Sequence, residues 1–146
     1  MTRRRRPSGH FELPIPASTA IGFFTPEGER GWAPGWDPTY PSGEPSETAG
    51  TVFVTGHGDT ETVWVIEKID REAHTSAYSR LTPGHHAGAV RVRCDDQPGG
   101  RCVVSVEYDM TALSPDDPQA LDGYDDENFE AMMTEWATKV TAALPR

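Results

Sequence analysis

Apolar residues near the end of the chain recur at three- and four-residue steps, the spacing of one face of an α-helix. The stripe consists of Phe129, Met132, Met133, Trp136, Val140 and Leu144. It predicts a long helix over residues 118–144, whose apolar face needs a large partner surface. Gly123 either kinks this helix or marks its true start, in which case Asp125 is the N-cap.

From residue 51 onward the period changes to alternation, which is typical of half-buried β-strands. The predicted strands cover residues 51–55, 61–69, 74–81, 87–94 and 102–110. Short polar turns join them, so we expect an antiparallel meander. A strand over residues 9–13 and two short helices over residues 17–24 and 25–31 precede it. This order predicts an α+β domain with a curved antiparallel sheet of about six strands and the long helix across it.

The chain has 146 residues, enough for one domain with a core, and a formal net charge of −10. Four arginines at residues 3–6 have no hydrophobic segment behind them, so we assign residues 1–8 to a disordered basic tail. Residues 9–146 form the single predicted domain. Without those arginines the chain carries 9 basic and 23 acidic residues, a formal charge of −14. An acidic body repels nucleic acid and anionic lipid, so neither is an expected partner.

Cysteine and histidine positions predict neither a metal site nor a cofactor. Cys94 and Cys102 flank one predicted turn, where they could lie directly opposite each other and form a disulfide. Two free, buried thiols in a cytoplasmic protein are the favoured interpretation. His57, His85 and His86 fall in turns without the spacing of a metal motif, which favours solvated side chains. No apolar run is long enough to span a membrane.

Six short strings, spread over nearly the whole chain, resemble the START-like superfamily, also called the SRPBCC or polyketide cyclase/dehydrase family. They are FELP (11–14), FTPEGE (24–29), WAPGWDP (32–38), ETVWV (61–65), LTPG (81–84) and TALS (111–114). The middle strings are similar to a bacterial subgroup of that family. The resemblance implies a helix-grip fold, in which an antiparallel sheet wraps around the C-terminal helix and encloses an apolar cavity. The family has no shared catalytic motif, so we assign no catalytic residue.

Large apolar residues are numerous enough to line such a cavity, together with one arginine. The candidates are Trp32, Trp36, Phe53, Trp64, Tyr78, Arg80, Val92, Tyr108, Phe129, Met132, Met133 and Trp136. Ordinary core packing is the competing interpretation for each apolar member, because periodicity does not say which strand face points inward.

Arg80, Tyr78, Glu67 and Tyr108 are the polar groups that would carry any chemistry inside the cavity. An arginine there would suit a carboxylate or phenolate ligand. For Arg80 the pattern nevertheless favours an outward, solvated side chain.

Three functions remain open at this point. The leading one is the binding of a small hydrophobic molecule, aromatic ones included, by a carrier or sensor. The alternative is a cyclase- or hydrolase-like enzyme acting on an aromatic or polyketide substrate. The third is a protein-interaction or chaperone co-activator module that uses the tryptophan loop at residues 32–38. A monomer and a homodimer are both compatible with the sequence.

Overall fold

The elements follow the predicted order, with one extra strand at the N-terminus. The computed structural model describes residues 3–145, the His57 side chain excepted. Its strands are Arg4–Arg5 (β1), Ser8–Leu13 (β2), Val52–His57 (β3), Thr60–Asp70 (β4), Thr75–Thr82 (β5), His86–Gln97 (β6) and Arg101–Ala112 (β7). Its α-helices are Ala17–Ala20 (α1) and Asp126–Ala143 (α2), and 3₁₀ turns cover Ile21–Phe24, Gly28–Gly31 and Asp122–Tyr124.

The seven strands form one curved antiparallel sheet. Their order is β1, β7, β6, β5, β4 and β3, and β2 pairs with the same edge of β7 as β1. Alternate side chains of β7 from Cys102 to Met110 are buried, and the residues between them are partly exposed. One face of the sheet therefore carries the core. The α+β class and the helix-grip arrangement are confirmed.

Part of the segment assigned to a disordered tail extends the sheet instead. Arg4 and Arg5 pair with the end of β7, and the carbonyl of Pro7 accepts a hydrogen bond from the backbone N–H of Tyr108. Pro7 has no N–H, which interrupts the ladder between β1 and β2. The prediction failed because backbone pairing along a free edge needs no apolar side chain and leaves no hydrophobic pattern. Residues 1 and 2 of the assigned tail lie outside the described residues.

The long helix begins at the later of the two predicted starts. Asp125 is the N-cap, and its carboxylate accepts a hydrogen bond from the Asn128 backbone N–H at 2.8 Å. This bond satisfies one of the free amides of the first turn. Residues 118–125 are therefore turns and a 3₁₀ segment rather than the first part of a kinked α-helix.

Helix α2 packs closely on β2 because β2 carries a glycine at the contact. A Cβ atom at Gly9 would lie 2.9 Å from Cγ of Met133 and 3.4 Å from the ring of Phe129. Glycine at this position thus lets two buried helix residues reach the strand backbone. Among residues 3–145 no helix is both long and apolar enough to cross a bilayer.

Two further predictions depend on strand register. The register between β4 and β5 shifts between Ile66 and Lys68, which leaves Glu67 in a β-bulge. Glu67 is exposed, and its carboxylate accepts a hydrogen bond from Ser79 Oγ at 2.6 Å. Glu67 is therefore not a polar group of the interior, because the bulge turns it outward.

The two cysteines lie on adjacent strands but not directly opposite each other. Cys94 pairs with Val104, and Cys102 pairs with Asp96, so the cysteines are diagonal neighbours. Both thiols are free and buried, as the sequence favours.

Candidate ligand-binding cavity

A cavity of about 220 Å³ lies between the sheet, the 3₁₀ turn Gly28–Gly31 and α2. Its aromatic walls are Trp32, Trp36, Trp64, Tyr108 and Trp136. Exposed residues, among them Pro34 and Lys139, mark its opening. A smaller space of about 20 Å³ adjoins it on the core side, against Tyr78 and Val92.

Hydrogen bonds to backbone carbonyls fix the loop at residues 32–38, which forms one wall. Trp32 Nε1 donates to the carbonyl of Phe23 at 2.8 Å, and Trp36 Nε1 donates to the carbonyl of Pro26 at 2.8 Å. Trp32 is buried and Trp36 is more than half buried. Both indole N–H groups are satisfied, so the rings present their apolar faces and edges to the cavity.

A second layer of rings supports the tryptophan wall. Phe53 stacks on Trp64, with ring centroids 5.6 Å apart and planes 4° from parallel. Trp36 meets Phe53 and Trp64 edge-on, at centroid distances of 6.0 and 5.5 Å. Phe53 therefore lies behind the wall and does not line the cavity. Such packed rings hold one another in place, which fixes the shape of the wall.

The apolar stripe of α2 divides between two surfaces. Met132 and Trp136, four residues apart, line the cavity. Phe129 and Met133, also four residues apart, face β2 and line a separate surface groove with Ser8 and Gly9. Phe129 and Met133, which were predicted as cavity residues, therefore lie outside this cavity, because a wide apolar stripe contacts two elements at once.

A carboxyl group outside the predicted set of site residues, that of Glu29, also lines the cavity. Glu29 lies in the 3₁₀ turn three residues before Trp32, and residues at that spacing project from the same side of a 3₁₀ helix. The turn packs tightly, because a Cβ atom at Gly28 would lie 1.7 Å from the carbonyl oxygen of Gly22. The side chain of Thr25 holds the turn as well, since its Oγ1 accepts from the Gly28 N–H at 3.0 Å.

The Glu29 carboxyl is surrounded by protein although the residue as a whole is partly exposed. Desolvation raises its pKa from the ordinary 4.5 to about 8. No hydrogen bond or cation from residues 3–145 offsets this effect. Glu29 is thus mostly protonated at pH 7 and can act as a hydrogen-bond donor. Its spacing of three from Trp32 was the only sequence feature that linked it to the aromatic wall.

Arg80 also lines the cavity, so the preference for an outward side chain was wrong. It lies two residues from Tyr78 on β5, and alternate residues of a strand share a face. Its guanidinium carbon lies 4.6 Å from the centroid of the Trp64 ring, a cation–π contact. Its Nε is buried without an acceptor in the described part of the chain.

Two buried tyrosines are neighbours of Glu29 and Arg80. The Tyr78 hydroxyl donates to the carbonyl of Phe24 at 2.6 Å, and burial raises its pKa. Burial also raises the pKa of Tyr108, an effect that the nearby Arg80 guanidinium opposes. Both phenols are therefore neutral over the usual working range of pH.

Other candidate positions lie apart from the cavity. A shallower groove of about 500 Å³ covers the outer face of the sheet, but its arginines are already paired. Arg91 lies 3.5 Å from Glu107, and Arg93 lies 2.9 Å from Asp95.

Of the three turn histidines, the side chain of His57 is outside the described part. The remaining described residues include no group of three side chains that could hold a metal ion.

Structural comparison identifies the fold. No family model and no curated sequence matches the chain. Norcoclaurine synthase from Thalictrum flavum superposes with a TM-score of 0.66 at 11% identity, over 97% of both chains. A START superfamily protein from Mycobacterium smegmatis superposes with a TM-score of 0.64 at 14% identity, over 96% of this chain and 99% of the other.

The chain has a START-like, helix-grip fold. A third neighbour, a protein from Thermobifida fusca, is 19% identical and superposes with a TM-score of 0.64 over 98% of this chain and 95% of the other. At these identities the comparisons establish the fold alone.

Proposed function

We propose that the chain binds a small hydrophobic molecule with an aromatic ring in this cavity, as a carrier or a sensor. The observation that carries the proposal is the space of about 220 Å³ walled by four tryptophans and Tyr108. An apolar cavity of about 150 Å³ holds benzene, so this volume suits one ring with a short substituent.

Preorganisation of the walls supports binding over simple core packing. The indole N–H groups of Trp32 and Trp36 are held by backbone carbonyls, and Phe53 supports Trp64 from behind. Little side-chain freedom is then lost when a ligand enters, which favours affinity. Rings arranged edge-on and stacked offer both kinds of contact that aromatic ligands use.

A neighbour of the same fold supports an aromatic ligand. The structure of norcoclaurine synthase from Thalictrum flavum in complex with dopamine and hydroxybenzaldehyde superposes on this chain with a TM-score of 0.65 at 11% identity. Both of those molecules contain a single ring.

The two free, buried thiols of the present chain fit the cytoplasm as the site of action.

Native mass spectrometry of the protein purified from its own host tests the proposal, followed by a thermal-shift screen of one-ring compounds. A bound species with a mass above that of the bare chain is expected. A ligand at one hundred times its Kd should raise the free energy of unfolding by about 2.7 kcal/mol. The same spectra distinguish a monomer from a homodimer. Bare protein together with no stabilising compound in the screen would contradict ligand binding.

Trp36 provides the matched variants. Trp36→Ala removes one wall of the cavity, so it should weaken ligand binding more than it lowers the free energy of unfolding, whereas Trp36→Phe keeps a ring and should largely retain binding. Unchanged affinity in Trp36→Ala, with loss of a dimer instead, would identify the loop as an interface. That result would favour the protein-interaction alternative.

A second candidate function, a cyclase- or hydrolase-like enzyme for an aromatic substrate, is favoured by one observation. Glu29 and Arg80 both reach the cavity without an ionic partner in the described chain, and the Glu29 pKa is raised to about 8. A carboxyl with a pKa near the working pH can transfer protons, and an arginine can stabilise a developing oxyanion. Turnover of an aromatic substrate that disappears in Glu29→Gln would support this function.

A further inference from the structure

Arg80 and Glu29 together give the cavity a chemical preference. We propose that the cavity selects aromatic molecules that carry a carboxylate, with the Arg80 guanidinium binding the anion and the Glu29 carboxyl donating a second hydrogen bond to it. This inference rests on the proposed ligand-binding function and names the class of ligand.

Arg80 differs from most of the other arginines in that it has no carboxylate partner among residues 3–145. Seven others lie within 3.8 Å of a carboxylate: Arg4, Arg6, Arg30, Arg71, Arg91, Arg93 and Arg101. Arg80 instead stacks on Trp64, with its buried Nε unsatisfied among the described residues. Stacking engages only the face of the guanidinium. The N–H groups on its edge, beside the Tyr108 hydroxyl, form a fork that matches a carboxylate in shape and charge.

Glu29 supplies a donor rather than a competing charge. A permanently ionised carboxylate in the same cavity would repel an anionic ligand and would itself pair with Arg80. Desolvation keeps Glu29 mostly protonated near pH 7, so its O–H can donate to the ligand's carboxylate. An anion entering the cavity therefore meets the Arg80 cation and a neutral carboxyl donor.

The remaining titratable groups around Glu29 and Arg80 do not change this balance between pH 7 and pH 9. Tyr78 and Tyr108 face Glu29 from the sheet, and burial raises the pKa of both phenols. His86 lies near Arg80, and desolvation lowers its pKa, so the ring is neutral above pH 7. Glu135 and Lys139 of α2 stand at the opening with opposite charges, four residues apart.

Three probes that share one ring and a two-atom substituent chain test the preference: phenylacetate, phenylacetamide and phenethylamine. Isothermal titration calorimetry at pH 7 should give phenylacetate a Kd at least tenfold below that of phenylacetamide, because one charge-assisted hydrogen bond contributes roughly that much. Arg80→Met keeps the length and apolar contact of the side chain, and it should remove this difference. Arg80→Lys keeps the charge without the fork and should retain part of it. Arg91→Met, on the outer face of the sheet, is the control and should leave the Kd values of all three probes unchanged.

The pH dependence of phenylacetate binding isolates the contribution of Glu29. If only the protonated form binds the anion, raising the pH from 7 to 9 should weaken phenylacetate binding about tenfold. Glu29→Gln keeps a donor that does not titrate, so its affinity should stay constant over the same range. Thermal melts of each variant establish that the fold is retained.

Several outcomes would overturn the inference. Equal affinity for phenylacetate and phenylacetamide would contradict it while leaving the ligand-binding function intact. Phenethylamine as the tightest probe, with affinity that rises with pH, would show that Glu29 pairs with a cation. No phenylacetate binding at millimolar concentration would also overturn it, and native mass spectrometry would then decide the ligand-binding function separately.

Discussion

Replacing Glu29 by glutamine should stabilise the protein, and the gain should depend on pH. In the unfolded chain the carboxyl ionises at the ordinary pKa of 4.5, whereas in the folded protein desolvation raises the pKa to about 8. Between these two values the folded state holds one proton more than the unfolded state. Its free energy of unfolding therefore falls as the pH rises through this window, and it levels off above pH 8. Glutamine does not titrate, so the variant is free of this loss.

The magnitude follows from the width of the window. Each pH unit within it corresponds to about 1.4 kcal/mol, so the full window gives an upper bound of about 5 kcal/mol. At pH 8 the folded carboxyl is half ionised, so we expect about 4 kcal/mol there, or roughly 8–16 °C in Tm for a domain of this size. At pH 4 the wild-type carboxyl is protonated in both states, and the two proteins should differ little.

Urea denaturation at pH 4, 5, 6, 7 and 8 measures this difference directly. Only the difference between wild type and variant is informative, because other carboxyls, such as that of Asp109 beside Arg4, have lowered pKa values and change the stability of both proteins alike. Glu44→Gln, an exposed loop substitution, is the matched control and should give a difference near zero at every pH. A Glu29→Gln difference that is the same at pH 4 and pH 8 would refute the reasoning.

Three further predictions concern the scaffold. Gly88→Ala places a Cβ atom 1.9 Å from a backbone oxygen of β7, and urea denaturation should show a loss of roughly 3 kcal/mol or more; Gly31→Ala, with nothing within 4 Å of its Cβ, should be close to neutral. Asp125→Ala removes the N-cap of α2 and should lower the free energy of unfolding by about 1 kcal/mol in thermal melts, and an unchanged Tm would contradict the cap. Burial raises the pKa of Cys94 to about 12 and also raises that of Cys102, so a thiol reagent at pH 8 should modify neither until the protein unfolds.

The fold was predictable because its elements leave strong periodic patterns. The alternation in β7 and the stripe in α2 each identify an element and its buried face. The short strand β1 was not predictable. Its pairing depends on backbone groups of β7 that are far away in sequence, and its two arginines carry no hydrophobic pattern.

The site was predictable only in part, because the sequence does not say in which direction each side chain points. Periodicity shows that Trp64 and Trp136 are apolar members of a strand and a helix, but it does not say that they face each other across a cavity. The sequence pattern favours a solvated side chain for Arg80. Only the pairing of the strands shows that it lies beside Trp64. For Glu29 the sequence offers only its spacing of three from Trp32, and a single carboxyl in a glycine-rich turn is ordinarily exposed. Its burial depends on the whole wall closing over it.

The position of the four tryptophans has an optical consequence. All four tryptophans of the chain line the same cavity, and two pairs of indoles lie close together, with centroids 5.4 Å apart for Trp32 and Trp136 and 5.5 Å apart for Trp36 and Trp64. The tryptophan emission of this protein therefore comes entirely from the cavity wall, without background from a remote indole. A molecule that enters the cavity quenches or shifts most of that emission, so entry and release can be followed in real time on the unlabelled chain.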